Sequence, residues 1–181
     1  AMKRVDTAIL DLAIIEPRVF GDDRGFFFES FNARTLAPLI GQWDFVQDNH
    51  SCSAQGVLRG LHYQIRQPQG KLVRVVAGSV LDVAVDIRRS SSTFGQHVAV
   101  ELSAEKKHMF WIPPGFAHGF VVLSEYAELL YKTTDYWVPE HERCIRWDDP
   151  LLAINWRLDQ APTLSPKDAQ GVSLNQAEVF D

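Results

Sequence analysis

The stretch "LVRVVAGSVLDVAVDIR", residues 72 to 88, is the part of the sequence that decides the fold class. It consists of two runs rich in β-branched residues, separated by Gly78 and Ser79, a pair typical of a turn. The second run alternates two sets of side chains, with Leu81, Val83, Val85 and Ile87 on one parity and Val80, Asp82, Ala84 and Asp86 on the other. An alternation of period two predicts a strand with two distinct faces.

Strand-like runs of the same kind follow at short intervals along the chain. They cover residues 97–102, 108–113, 118–124 and 127–134. About seven strands at this spacing predict an antiparallel sandwich or barrel. Helical patterns are confined to residues 32–41 and 164–171, and the second would begin with Ser165 as its N-cap.

No repeat, low-complexity tract or linker divides the sequence. We therefore expect one domain over residues 1–181, with an N-terminal strand region at 1–14 and a C-terminal tail at 172–181 to which no role is assigned. The formal net charge of −5 gives no support to nucleic acid as a partner, and no run approaches the roughly 18 apolar residues of a membrane span. Cys52 and Cys144 are expected to be free thiols in a cytoplasmic protein.

The peptide "GVLRGLHYQ", residues 56 to 64, carries Arg59 and His62 in an otherwise apolar run. On a regular strand the two side chains would point to opposite faces, because their numbers have opposite parity. A bulge at Gly60 would bring both side chains to one side. Taken alone, the peptide is also explained by a surface arginine and a core histidine that have no functional role.

Other polar side chains lie on strand faces that should be interior. Lys71 shares the parity of Val73, while His118 and Tyr131 stand in apolar runs and Asp82 and Asp86 lie opposite the Leu81 stripe. Each has an ordinary reading, such as a lysine at a strand end, a core tyrosine or a solvated acid. As a set they suit proton abstraction next to a carbonyl, with a histidine base, an ammonium beside the enolate oxygen and a phenol that returns a proton.

A metal is the competing interpretation of this set, since small β-barrels often bind one. His62 is followed by Tyr63 and Gln64, so the His-x-His spacing of many metal sites is absent. His118 has no ligand partner within its own motif. The spacing therefore argues against a metal site.

Two further segments suggest a site for an anionic ligand. "PRVFGDDRGFFFESF", residues 17 to 31, places Arg24 before three phenylalanines and Glu29, and "FVQDNHS", residues 45 to 51, carries Gln47 and Asn49. Arg24 and Arg59 together could hold a diphosphate, and the amides suit the edge of a uracil- or thymine-type base. The phenylalanines would need a dimer partner or a flat aromatic ligand to cover them. A salt bridge within a turn and ordinary polar loop residues remain the alternatives.

Seven motifs occur in order between about residues 15 and 170: FGDDRGFFFESFN (20–32), FVQDNHS (45–51), GVLRGLHYQ (56–64), QGKLVRVVAGSVLDVAVDIRRSSSTFG (69–95), WIPPGFAHGFVVLS (111–124), YKTTDYWVPEHERCIRWDDP (131–150) and LSPKD (164–168). Together they resemble the dTDP-4-dehydrorhamnose 3,5-epimerase family. The resemblance implies a mainly all-β, cupin-type double-sheet jelly roll with short peripheral helices. It also implies a homodimer that exchanges N-terminal strands, and catalysis without a cofactor.

The resemblance assigns roles to individual residues. His62 matches the family's base, Asp168 the aspartate that supports it, Lys71 the lysine near the C4 oxygen and Tyr131 the proton donor. The matched substrate contacts are Arg24, Glu29, Gln47, Asn49, Arg59, Lys71, His118, Glu142 and Lys167. The implied reaction inverts C3 and C5 of dTDP-4-dehydro-6-deoxyglucose. The alternatives are a related epimerase acting at one carbon, a non-catalytic sugar-nucleotide-binding cupin and a metal-dependent cupin enzyme.

Overall fold

A computed structural model describes residues 1–181 and contains two main β-sheets that face each other across a shared core. The strands are β1 (Met2–Asp6), β2 (Ala13–Pro17), β3 (Phe20–Asp22), β4 (Gly25–Phe27), β5 (Gln47–Ala54), β6 (Leu58–Gln64), β7 (Lys71–Ala77), β8 (Ser79–Asp86), β9 (His97–Ser103), β10 (Met109–Ile112), β11 (Phe116–Val122), β12 (Tyr126–Thr133) and β13 (Glu142–Cys144). The helices are α1 (Ala33–Ile40) and α2 (Pro166–Ala169), with 3-10 turns at Pro139–His141 and Leu174–Gln176.

One main sheet has six strands in the order β1-β2-β10-β7-β12-β5, and the other has five in the order β13-β6-β11-β8-β9. Neighbouring strands of both sheets are antiparallel. Strands β3 and β4 pair only with each other and form a separate hairpin. The predicted double-sheet jelly roll with short peripheral helices is confirmed. Neither α1 nor α2 has the length or the apolar character that a membrane crossing requires.

The space between the two sheets is divided into an apolar part and a polar part. The apolar part is a cluster of buried side chains from strands of both sheets and from the β1–β2 connection: Ile9, Leu12, Val73, Val75, Val80, Ala84, Leu102, Phe110, Ile112, Phe116, Phe120, Val122, Ala127 and Leu129. Buried apolar area of this kind is the main favourable term in folding. The remaining inward positions on the same strands carry the polar groups of the candidate site.

Each sheet also buries its outer face. The segment from Ile145 to Phe180 packs on the five-stranded sheet, where Trp156 and Leu174 are buried. The predicted helix α1 packs on the six-stranded sheet, with Asn32 as its N-cap and Leu36 among its buried residues. The C-terminal tail, to which the sequence assigned no role, therefore completes a core.

The stretch at residues 72–88 forms β7 and β8, which belong to different sheets. Gly78 connects them with a φ of +74°, and a Cβ atom there would overlap the backbone of Tyr126. Both the positive φ and the close approach require glycine. The chain therefore crosses from one layer to the other at this turn.

The expected number of about seven strands was too low, because thirteen are present. The missed strands include β3 and β4, which have three residues each, and β5, whose sequence "QDNHSCSA" has almost no apolar residues. The inward side chains of β5 face the polar part of the interior. The hydrophobic alternation that marks a half-buried strand is therefore missing from it.

Candidate active site

A bulge on β6 brings Arg59 and His62 to the same face, as the sequence suggested. His62 lies opposite His118 and Arg59 lies opposite Phe120, so three steps on β6 match two on β11. Gly60 supplies the extra residue with a φ of +129°. A Cβ atom there would lie 2.6 Å from Gly119 Cα, which excludes larger residues.

His62 is held by Asp168, which approaches from α2. The distance from His62 Nε2 to Asp168 Oδ1 is 2.5 Å. The Gly60 backbone N–H donates to the other carboxylate oxygen at 3.3 Å, and Ser165 caps α2 through the Asp168 backbone N–H. Burial opposes ionisation of Asp168, but these hydrogen bonds and the imidazole together hold its pKa below its usual range. The carboxylate orients the ring and leaves Nδ1 as the nitrogen available to a substrate.

His118 and Asp82 form a second pair, and it is deeply buried. His118 Nε2 lies 2.8 and 3.0 Å from the two oxygens of Asp82. Burial lowers the pKa of His118, although Asp82 acts in the opposite direction. His118 is therefore a neutral ring that donates to a carboxylate. The alternative of a solvated Asp82 is wrong, because its neighbours on β11 and β9 and the facing sheet exclude water from it.

Asp86 is also buried, so a solvated position is wrong for it as well. It does not belong to the site, because its carboxylate accepts hydrogen bonds from Arg88, Ser91 and Thr93. These bonds fix the loop that follows β8. Asp86 points inward and is buried, but its role is to stabilise this loop.

Lys71 and Tyr131 stand on the facing six-stranded sheet. Their positions are set by the register of β12, where Tyr131 pairs with Val73 and Thr133 pairs with Lys71. Lys71 Nζ lies 6.0 Å from the centroid of the Tyr131 ring. The ring centroids of His118 and Tyr131 are 6.4 Å apart, so the polar groups of the two sheets meet across the interior.

The surroundings change the acidity of both groups. Desolvation lowers the pKa of Lys71 to about 8, against the attraction of Asp82 and Glu142. Burial raises the pKa of Tyr131, although a hydrogen bond with Asn49 opposes the shift. Tyr131 is therefore a protonated phenol at neutral pH and can donate a proton.

Gln47 and Asn49 extend this wall along β5. They lie opposite Thr133 and Tyr131 respectively, and Gln47 Nε2 donates to Asn49 Oδ1 at 3.0 Å. Their side chains face the interior next to Tyr131. The structure therefore brings both predicted amides to the polar part of the barrel.

A strap at residues 134–138 joins the two sheets beside the site. Gln64 Oε1 accepts from the Val138 N–H at 2.7 Å, and Gln47 Oε1 accepts from the Trp137 N–H at 3.1 Å. The Trp137 indole N–H donates to Glu142 Oε2 at 2.6 Å. Gln64 and Trp137 were missed by sequence reasoning. The signal for Gln64 was its position two residues after His62, which places both side chains on one strand face.

The remaining predicted residues divide into two groups. Arg59 donates to Ser53 Oγ at 2.9 Å, and Lys167 lines a cavity with His62 and Asp168, so both border the site. Arg24 and Glu29 do not join it. Arg24 pairs with Asp22 at the exposed tip of the β3–β4 hairpin, and Glu29 accepts hydrogen bonds from Asn32.

Cys144 is a further residue that sequence reasoning did not connect with the site. It pairs with His62 across β13 and β6, and its thiol contacts the Gly60 carbonyl oxygen at 3.5 Å. Burial raises its pKa to about 12, with Asp168 adding to the shift, so the group is a thiol. The ligand atoms of His62, Cys144 and Asp168 all lie within 4.8 Å of one another.

The sequence is similar to known proteins along almost its whole length. Residues 6–176 match the family model described as dTDP-4-dehydrorhamnose 3,5-epimerase. The chain is 66% identical over 180 residues to the protein of that name from Pseudomonas aeruginosa, with 99% of each chain covered. It is 59% identical to the Salmonella typhimurium protein, with 96% of each covered.

A solved structure gives the same result for the fold. The dTDP-6-deoxy-D-glucose-3,5-epimerase from Legionella pneumophila Philadelphia 1, in complex with dTDP-4-keto-L-rhamnose, superposes with a TM-score of 0.96 at 57% identity. The match covers 98% of this chain and 95% of that chain. The fold expected from the sequence motifs is therefore confirmed.

Proposed function

The chain belongs to the dTDP-4-dehydrorhamnose 3,5-epimerase family, and we propose that it acts on the substrate of that reaction. It is an epimerase that inverts C3 and C5 of dTDP-4-dehydro-6-deoxy-D-glucose and forms dTDP-4-dehydro-L-rhamnose. This step belongs to the biosynthesis of dTDP-L-rhamnose. Both inverted carbons flank the C4 ketone, so each proton can be removed to give an enolate.

The observation that carries this proposal is that His62 and Tyr131 stand on opposite sheets. A sugar ring held between the sheets presents one face to each residue. His62, oriented by Asp168, removes a proton from one face, and the Tyr131 phenol returns a proton to the other. Delivery from the opposite face inverts the carbon, and a second cycle inverts its counterpart across the ketone.

Lys71 is the proposed partner of the enolate oxygen. Its side chain is buried between the acids of the interior and Tyr131, where few water molecules would compete for the developing charge. A hydrogen-bond donor that is already in place before the reaction stabilises such a charge most effectively. The neutral His118, fixed by Asp82, adds a polar contact to the sugar on the same side as His62.

The nucleotide part of the substrate is proposed to bind beyond the sugar. Gln47 and Asn49 suit the base edge, Arg59 suits the diphosphate, and Glu142 and Lys167 border the same opening.

Arg24 and Glu29 lie away from these groups, and a second copy of the chain would explain their matching motifs. Phe26 and Phe27 on the same hairpin are 62% and 69% exposed, which is unusual for two adjacent phenylalanines. We therefore propose a homodimer with exchanged N-terminal strands, in which the hairpin reaches the partner's site. We also propose that residues 1–181 act as one domain and that the protein works in the cytoplasm.

The reaction is tested by incubating the protein with dTDP-4-dehydro-6-deoxyglucose in D2O in the presence of a chelator. Proton NMR then follows the signals of C3 and C5. Deuterium at both carbons with inversion is the expected result. Exchange at one carbon would move the protein to the single-carbon epimerases, and exchange at neither would refute the proposal.

The division between binding and chemistry is tested with His62→Ala. Turnover should fall by at least about 100-fold, within the range that general acid–base groups contribute. Calorimetric titration with dTDP should give an affinity close to that of the unchanged protein, because the proposed nucleotide contacts do not involve His62. A large loss of dTDP affinity would contradict this division.

A further inference from the structure

Three potential metal ligands lie close together in the site, and the proposed catalytic base His62 is one of them. Asp168 Oδ1 lies 2.5 Å from His62 Nε2 and 3.7 Å from Cys144 Sγ. His62 and Cys144 lie directly opposite each other on neighbouring strands, while Asp168 comes from α2. An imidazole, a thiol and a carboxylate are the groups that bind Zn²⁺ in proteins.

The spacing is close to what a tetrahedral zinc ion requires. With zinc bonds of about 2.3 Å to sulfur and about 2.0 Å to oxygen or nitrogen, the sulfur and oxygen atoms would be about 3.5 Å apart and the nitrogen and oxygen atoms about 3.3 Å apart. The observed sulfur–oxygen distance of 3.7 Å already fits. The imidazole would have to move away from Asp168 by about 0.8 Å. The His62 side chain is 34% exposed, so it has room for this movement.

The three groups face the same cavity, although Asp168 itself is buried. They line a cavity of about 500 Å³ together with Glu142 and Glu178, among other residues. The cavity admits a hydrated ion and leaves space for a water molecule as the fourth ligand. The cavity has two basic residues, Arg143 and Lys167. Arg143 is already paired with Glu178, which reduces the repulsion of a cation.

We propose that Zn²⁺ binds to His62, Cys144 and Asp168 and thereby inhibits the enzyme. Binding displaces the thiol proton, which passes to solvent, and the ring proton of His62 moves from Nε2 to Nδ1, where it blocks the nitrogen that would act as the base. The metal takes the place of the hydrogen bond that orients the base. The inhibition depends on the proposed role of His62, whereas the binding of the metal does not.

The metal site is tested by absorption spectroscopy with Co²⁺, which reports coordination without any turnover. Titration of the purified protein should produce a thiolate-to-cobalt charge-transfer band in the near ultraviolet, and added Zn²⁺ should remove it. The band should be absent from Cys144→Ser and from His62→Ala. It should persist in Cys52→Ser, the matched control, because Cys52 is an exposed thiol on β5.

Inhibition is measured in the epimerase assay over a range of free Zn²⁺ concentrations. Cys144→Ser should need at least about 100-fold more zinc for half-inhibition. Loss of a group that only hydrogen-bonds to a metal ligand already costs about 10–100-fold in metal affinity, and Cys144 is proposed to bind the metal directly. Equal zinc sensitivity of the unchanged protein and Cys144→Ser would overturn the proposal. So would a cobalt spectrum without a charge-transfer band. If Cys144→Ser fails to fold, the cobalt spectra of His62→Ala and the unchanged protein still decide the question.

Discussion

Replacement of Lys71 by methionine should stabilise the protein at neutral pH while it removes activity. The lysine is 8% exposed, and desolvation lowers its pKa from 10.5 to about 8 despite the attraction of Asp82 and Glu142. Each pKa unit corresponds to about 1.36 kcal/mol, so burial of the charged form costs about 3 kcal/mol. Methionine has a similar length and no charge, and it avoids this cost.

The pH dependence of stability separates this cost from other effects of the substitution. Below about pH 8 the lysine is charged in both the folded and the unfolded chain, and the folded state carries the full cost. Between about pH 8 and 10.5 the unfolded chain binds more protons than the folded chain, so the free energy of unfolding rises with pH. The stability of the unchanged protein relative to Lys71→Met should therefore improve by about 2 to 3 kcal/mol between pH 7 and pH 10.

The measurement is urea unfolding of both proteins at pH 7, 8, 9 and 10, at one fixed protein concentration because a dimer would make stability concentration-dependent. Lys106→Met, at an exposed turn, removes the same charge and should leave the pH dependence unaltered. A difference between the unchanged protein and Lys71→Met that stays constant across this pH range would refute the argument. The same deprotonation removes the proposed ammonium, so kcat/KM of the unchanged protein should fall above about pH 8.

Three further substitutions test single contacts. Tyr131→Phe should let deuterium enter the substrate from D2O with retention of configuration while inversion slows, and unimpaired inversion at both carbons by proton NMR would count against the donor role. Gly60→Ala should lower the free energy of unfolding by at least about 2 kcal/mol, because its Cβ would lie 2.6 Å from Gly119 Cα; an unchanged urea midpoint would show that the bulge tolerates alanine. Ser165→Ala removes the cap of α2, worth about 1 kcal/mol, and should reduce kcat more than it changes KM through looser placement of Asp168; Ser165→Thr should restore kcat, and failure of that rescue would contradict the capping explanation.

Much of the fold was predictable because successive side chains on its central strands alternate strictly between the two faces of the sheet. The second run of residues 72–88, β8, shows this clearly, since Leu81 and Val83 face one cluster and Val80 and Ala84 face the other. Both predicted helices were confirmed, and the second was marked in the sequence by its cap Ser165, which is a local signal. Strand β5 was not recognised, since its inward side chains serve the site and lack the apolar pattern.

The site was predictable only in part, because its geometry depends on contacts between distant segments. The parity of Lys71 correctly placed it inside, and Gly60 correctly indicated a bulge. No local pattern could show that Asp168 would reach His62 from a separate helix, 106 residues away in sequence. Only the family resemblance connected those two residues. The same limit explains why Cys144, brought to His62 by an edge strand of three residues, was missed.

The arrangement of the interior explains how one barrel combines a firm scaffold with a costly site. Some inward positions are filled by residues such as Phe110 and Leu129, which contribute favourable burial, and others carry Lys71 and Asp82, which are expensive to bury. Both kinds of residue lie on the same continuous strands. The packed apolar residues therefore fix the separation of the two sheets around the polar groups, where inversion requires an acid and a base on opposite faces of one ring. A loosened apolar cluster should accordingly reduce catalysis even when every polar residue is intact.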